Sequence, residues 1–151
     1  MNDVILIRAR NHPAACVPEN ADAGKYGGKK YPPYGLLSVQ SYMAKHGIES
    51  RTLDRYAQPF FDLSADEFAK AVVDYKPKYV GISSLSTQAK DAEEIAVVIK
   101  RLDPNILVVH GGVHFSSLPQ DGLKTGDFVV IGDGEEAMRR KIGRASCRER
   151  V

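Results

Sequence analysis

The sequence predicts an α/β fold: a Rossmann-like, doubly wound sheet of five parallel strands in flavodoxin-like order, with helices on both faces. Short apolar runs recur at residues 3–9, 48–54, 78–83, 106–109 and 127–131. Segments with apolar residues at helical spacing separate them, and strands that alternate with helices in this way build parallel sheets. Small and hydroxylated residues then follow the last three runs, where an α/β sheet carries its ligand loops.

Residues 3–9 (DVILIRA) are almost continuously apolar, as in a strand buried on both faces. Residues 10–30 are polar and rich in Gly, Pro and Ala; a connection this long is functional or disordered. Tyr31-Pro32-Pro33-Tyr34-Gly35 leads into a helix with Leu36, Val39 and Met43 on one face, and Gly47 sits where a C′ glycine belongs. Residues 48–54 (IESRTLD) alternate weakly, and their polarity places the strand near a sheet edge. Ser64 and Glu67 form a capping box before a helix with the stripe Phe68, Ala71, Val72 and Tyr75. Residues 78–83 (KYVGIS) are the next strand. Thr87 is expected to cap a helix whose apolar face is Ala92, Ile95, Ala96, Ile99 and Leu102. Residues 106–109 (ILVV) form a strand that ends in His110-Gly111-Gly112, and 119–124 form a short helix. Residues 127–131 (DFVVI) are the fifth strand, and Gly132-Asp133-Gly134-Glu135-Glu136 opens the last helix.

At 151 residues, 43% apolar and 26% charged, the chain has the length and composition of one globular domain. No apolar run approaches the roughly 18 residues of a membrane span. Met1-Asn2-Asp3 lacks the basic start of a signal peptide, so a cytoplasmic location is expected. Cys16 and Cys147 have neither metal spacing nor disulfide partners. Residues 141–151 (KIGRASCRERV) have no apolar period, and one choice of codons for them resembles a sequencing adapter read in frame. The expected division is therefore a domain at 1–140 and a non-native tail at 141–151, with the natural protein continuing past Arg140. The whole chain has net charge +2 and the tail contributes +3, which leaves −1. The mild basicity therefore carries no expectation of a nucleic-acid partner.

Ligands of open α/β sheets bind outside the carboxyl ends of the strands. Ser83-Ser84-Leu85-Ser86-Thr87 offers four hydroxyls there. Gly111-Gly112, and Gly132 with Gly134, remove side chains where a ligand could approach. Each loop alone serves equally well as a turn or a cap. The three together point to a cleft for a large, partly apolar ligand.

Four segments, in order, carry a family resemblance: Tyr31-Pro32-Pro33-Tyr34-Gly35-Leu36-Leu37, Gly81-Ile82-Ser83-Ser84-Leu85-Ser86-Thr87, Gly111-Gly112-Val113-His114 and Val130-Ile131-Gly132-Asp133-Gly134-Glu135-Glu136. Together they resemble the cobalamin-binding domain that precedes the catalytic barrel in radical-SAM enzymes. The resemblance implies cobalamin across the strand ends. Ser83, Ser84, Ser86 and Thr87, with Leu85 between them, would line its nucleotide tail. Gly111 and Gly112, followed by His114, would lie against its ribose and benzimidazole. Gly132, Asp133, Gly134 and Glu135 would close the far wall, and Tyr31, Pro33 and Gly35 would sit near the corrin. It further implies a radical-SAM domain in cis, absent here, whose CxxxCxxC motif binds a [4Fe–4S] cluster and S-adenosylmethionine. The full-length protein would then perform methyl transfer or cyclisation on an unreactive carbon. Relatives that place a histidine on cobalt carry Asp-x-His-x-x-Gly; here Arg10, Ala44, Val108 and Gly112 precede His12, His46, His110 and His114 by two, so binding without a histidine on cobalt is expected.

Other readings fit less well. Gly132-Asp133-Gly134-Glu135-Glu136-Ala137 formally matches a dinucleotide fingerprint, but it follows the fifth strand, and two glutamates would repel a pyrophosphate there. A phosphorylation receiver needs an Asp where Ser83 and Ser84 stand. His110 and His114 have metal spacing only on a helix, and Gly111 and Gly112 between them place the pair on a loop. The fragment alone carries no acid–base pair and no nucleophile, so it is expected to catalyse nothing by itself. The remaining rival is a degenerate domain that docks a partner or substrate without cobalamin.

Overall fold

Five parallel strands form the middle layer. β1 (Val4–Arg8) lies between β2 (Ser50–Asp54) and β3 (Tyr79–Ser83), and β4 (Leu107–Gly111) and β5 (Phe128–Val129) extend the sheet in the order β2-β1-β3-β4-β5. This is a computed structural model; it describes residues 3–12 and 31–148, with side chains as far as Gly143. Most of the long loop predicted at 10–30, including Cys16, lies outside the described residues, as does the side chain of Cys147. The helices are α1 (Tyr34–Lys45), α2 (Ala65–Asp74), α3 (Ala89–Leu102), α4 (Val113–Ser117), α5 (Pro119–Thr125) and α6 (Gly134–Arg148). The chain steps from β1 out to β2, then crosses back to β3, so the winding reverses between β1 and β3. The predicted fold class and strand order are those observed, and the weakly alternating segment is an edge strand.

Strand side chains alternate between faces, and the two faces are filled differently. Ile5 and Ile7 of β1, Val80 and Ile82 of β3 and Val108 of β4 pack against Phe68 and Val72 of α2, Ile95 and Ile99 of α3, and Phe115 of α4. Burying each such side chain contributes about 1.5–3 kcal/mol. The other face holds a smaller cluster: Val4, Leu6, Tyr79 and Val109 from the strands, Val39 and Met43 from α1, Met138 and Ile142 from α6. α6 runs through residue 140, with Ile142 buried in this cluster and the Lys141 ammonium 3.1 Å from the Phe128 ring centroid.

Local signals mostly hold. Ser64 Oγ accepts from the Glu67 amide at 3.2 Å, and Glu67 Oε2 accepts from the Ser64 amide at 2.9 Å, which closes the predicted capping box. Three expectations need correction. Thr87 does not cap α3: a 3-10 turn at Ser86–Gln88 intervenes, and the Thr87 hydroxyl donates to Asn11 Oδ1 at 2.9 Å instead. His114 lies on α4 rather than in a loop, because the chain turns into a helix directly after Gly112. The fifth strand is only two residues long, although Val130 still donates to the His110 carbonyl at 2.8 Å. Among the described residues, no helix is long and apolar enough to cross a membrane.

One polar network lies within the larger core. Arg55, fully buried, pairs with Asp91 of α3 through Nη2–Oδ1 at 2.7 Å and Nε–Oδ2 at 3.3 Å. Its Nη1 donates to the Phe60 and Leu63 carbonyls, and its guanidinium lies 4.8 Å from the Phe68 ring centroid. Asp91 also accepts from the Arg10 amide at 3.0 Å, so the pair fixes the start of the β1–α1 connection. Removing one partner of such a pair strands a buried charge. Asp91→Ala is expected to lower the unfolding free energy by about 3–5 kcal/mol, read as a lower urea midpoint at unchanged slope. A loss below about 1 kcal/mol would show that water reaches Arg55.

Candidate functional site

Parallel register lines up the floor of a cleft on the α1/α6 face. Leu6, Gly81 and Val109 form one rung across β1, β3 and β4; Arg8, Ser83 and Gly111 form the next rung on that face, two residues nearer the strand ends. Two residues of strand span about 6.6 Å, so the first rung is the inner end and the second the mouth. α1 supplies one wall with Gly35, Leu36 and Val39; α6 supplies the other with Gly134, Glu135 and Met138. Val130, Gly132 and Asp133 close the β5 side, and the cavity measures about 230 Å³.

Glycines keep this space open. A Cβ at Gly81 would lie 3.1 Å from Leu6 Cδ2 and 3.4 Å from Met138 Cε, so a larger side chain there would press on two side chains that line the cavity. A Cβ at Gly134 would lie 3.1 Å from Val39 Cγ2. Gly112 has a different task. Its φ is +91°, and a Cβ would come within 2.7 Å of the Ser84 amide and carbonyl, so the β3 and β4 loops can touch only if this residue is glycine.

Polar contacts brace the helix pair across the cleft. Ser38 Oγ donates to Glu135 Oε1 at 2.7 Å, and the Tyr42 hydroxyl donates to Glu136 Oε2 at 2.7 Å. Arg139 and Arg140 also donate to Glu136. The Arg139 guanidinium, then the Tyr42 and Arg140 donors, hold the Glu136 carboxyl well below the usual carboxylate range. The Ser38 hydroxyl lowers Glu135 likewise. Both are carboxylates near neutral pH, at a helix N-terminus that favours negative charge.

The cleft brings together Gly35, Ser83, Gly111, Gly112, Gly132, Asp133, Gly134 and Glu135 from the sequence-derived set. The others stand outside it. Tyr31 is exposed, and its carbonyl accepts from Arg8 Nη1 at 2.9 Å. Pro33 precedes the first turn of α1. Ser84 is buried with its hydroxyl unpartnered, and Leu85 is exposed. Ser86 Oγ meets His114 Nδ1 at 3.2 Å, and Thr87 reaches Asn11. Sequence reasoning missed the inner wall: Leu6, Val39, Gly81, Val109 and Met138. Gly81 alone carried a signal, since a glycine inside a strand often marks close approach of a ligand or backbone.

A family model described as B12 binding domain matches residues 23–141. The chain is similar to an uncharacterized methyltransferase of Pyrococcus horikoshii, 29% identical over 114 residues that cover 74% of this chain and 24% of that protein. It is similar to cytidylyl-2-hydroxyethylphosphonate methyltransferase of Streptomyces wedmorensis, 28% identical over 120 residues, 68% of this chain and 22% of that protein. It is also similar to anaerobic magnesium-protoporphyrin IX monomethyl ester cyclase of Rubrivivax gelatinosus, 31% identical over 80 residues, 51% of this chain and 14% of that one. The chain thus spans less than a quarter of the length of these relatives. A solved structure described as a pilus assembly protein from Burkholderia thailandensis superposes with TM-score 0.52 at 12% identity, covering 97% of this chain and 99% of that one. That likeness concerns the fold alone.

His110 stands on β4 beside the cleft, but its ring belongs to the opposite layer. Nε2 meets Thr125 Oγ1 at 2.9 Å, the ring lies 4.4 Å from Phe115, and Nδ1 is buried without a partner. No group of metal-binding side chains occurs among the described residues. Burial lowers the His110 pKa to about 4. The unfolded chain therefore binds a proton between about pH 6.5 and 4 that the folded chain refuses, and stability falls as pH drops through that window. His110→Gln should flatten the slope relative to the parent chain by about 3 kcal/mol across it, measured by urea titrations at stepped pH. An unchanged slope would mean that His110 is protonated in the fold.

Proposed function

The chain belongs to the B12-binding domain family, and from that premise we propose that it binds cobalamin with the nucleotide tail inside the α1/α6 cleft and the corrin outside, over the strand ends. The cavity behind Gly81 is the observation that carries this reading. An engineered apolar cavity of about 150 Å³ admits benzene. A space of about 230 Å³ therefore suits one bicyclic base and is far too small for a corrin ring. Outside the cleft, the loops after β3 and β5 and the first residue of α4 after β4 present exposed apolar side chains: Leu85 (52%), Ile131 (65%) and Val113 (64%). Such a rim suits the flat underside of a macrocycle.

The chain's own groups define the binding mode. Ser83 offers a hydroxyl at the mouth, and Gly111 and Gly112 let the sugar of the tail approach the sheet. No histidine is placed for cobalt: His110 faces the other layer, His114 lies against Ser86, His46 follows α1, and His12 lacks the Asp two residues earlier. A cobalamin held by these residues would carry no protein histidine on cobalt, and when bound it would supply a transferable alkyl group. Two of the three relatives are named as methyltransferases and one as a cyclase, each more than four times longer than its matched segment. These names, with the four ordered motifs, support a parent protein in which a radical-SAM domain, its [4Fe–4S] cluster and S-adenosylmethionine act beside this domain.

Titration of the chain at micromolar concentration with hydroxocobalamin should shift the corrin absorption bands; an unchanged spectrum would sink the cobalamin reading and favour a docking module. Gly81→Val should weaken binding at least tenfold while thermal unfolding stays cooperative, because the added methyls occupy the inner end. Equal affinity would place the tail elsewhere. For the parent, the natural gene downstream of codon 140 should encode CxxxCxxC within about one domain length; an unrelated domain there would overturn that half of the reading.

A further inference from the structure

We propose that the inner end of the cleft selects among corrinoids by the chemistry of their nucleotide base, admitting an apolar benzimidazole and discriminating against adenine. The inference rests on the cobalamin reading above and asks what the same cavity would refuse. The inner rung is Leu6, Gly81 and Val109, and the helices close over it with Val39 and Met138. Gly81 has no side chain, and of the other four none can donate a hydrogen bond and only the Met138 thioether accepts one, weakly. The strand amides and carbonyls of that rung are committed to the sheet. The polar side chains of the cleft stand at its outer end: Ser83 on the second rung, Asp133 in the connection before α6, and Glu135 in the first turn of α6. Glu135 is already engaged by Ser38.

A base enters such a cleft with its sugar-bearing nitrogen toward the mouth. The edge farthest from the sugar then faces Leu6, Val39 and Met138. On dimethylbenzimidazole that edge carries two methyl groups, which gain by leaving water. On adenine it carries a ring nitrogen and an amine, which lose water and find no partner. Leaving buried polar groups unpaired corresponds to roughly tenfold or more in affinity.

Isothermal calorimetry of the 151-residue chain with three probes tests the proposal: hydroxocobalamin, its analogue with adenine as the base, and a corrinoid that lacks the nucleotide. The expected order is cobalamin tightest, with both others at least tenfold weaker. Equal affinity for the two complete corrinoids, both tighter than the nucleotide-free one, would overturn the selection and leave the cobalamin reading intact. Preference for adenine would do the same. Equal affinity for all three would put the tail outside the cleft and overturn the selection. Failure of all three to bind would overturn both readings. A second arm is Met138→Gln, which sets an amide at the inner end. It should narrow the preference for cobalamin over the adenine analogue at least threefold in a variant that still unfolds cooperatively. An unchanged ratio would show that the base does not reach Met138, and the selection would fall.

Discussion

The absence of a side chain at Gly81 shapes half of this molecule. It stands in the central strand, with Leu6 and Val109 beside it on the same rung. Neighbouring strands are about 4.8 Å apart, so leaving one position bare opens a gap that flanking side chains only partly fill. On the opposite face the corresponding positions are Ile5, Val80, Ile82 and Val108, and α2 and α3 press directly onto them. On the Gly81 face α1 and α6 cannot close the gap by packing. Their apolar contact concentrates toward the amino ends of the strands, around Val4, Met43, Tyr79 and Ile142. Nearer the mouth they are joined by hydrogen bonds, Ser38 to Glu135 and Tyr42 to Glu136. A cleft held open by polar struts over an apolar floor is the consequence.

The rigid half of the domain serves the open half. The Arg55–Asp91 pair is poor evidence for net stability, since two well-packed apolar residues often do as well. Its consequence is positional. Asp91 also holds the Arg10 amide, and Thr87 holds Asn11 through its hydroxyl and His12 through its carbonyl. Arg8 pairs with Asp54 and holds the Tyr31 carbonyl. Both described ends of the β1–α1 connection are therefore anchored, one to the larger core and one to the edge strand. They sit beside the switch between β1 and β3, where ligands of this architecture bind.

The fold was legible because alternation of strand and helix is a property of order along the chain. Even the edge position of β2 could be read, since IESRTLD is too polar for a strand covered on both faces. The rim of the cleft was legible for a related reason: Ser83 and Gly111 end strands, Gly112, Gly132 and Gly134 follow them, and none has a part in any apolar period. The depth of the cleft was not. Leu6, Val39, Val109 and Met138 have the composition of ordinary core, and only a neighbour missing in space turns core into cavity wall. Thr87 misled for a local reason: its type suits a helix cap, but the 3-10 turn moves the helix start past it. Arg55 gave no signal at all, because its partner Asp91 lies on another element.

Met138 offers the most direct check on the central claim that the nucleotide tail enters behind Gly81. The chain has three methionines, and Met43 is buried in the same layer but does not line the cleft. With 13C-labelled methionine methyl groups, addition of hydroxocobalamin should move the Met138 resonance strongly through the ring current of a stacked base, while Met43 stays nearly fixed. Corrin binding that leaves the Met138 methyl where it was would contradict the account.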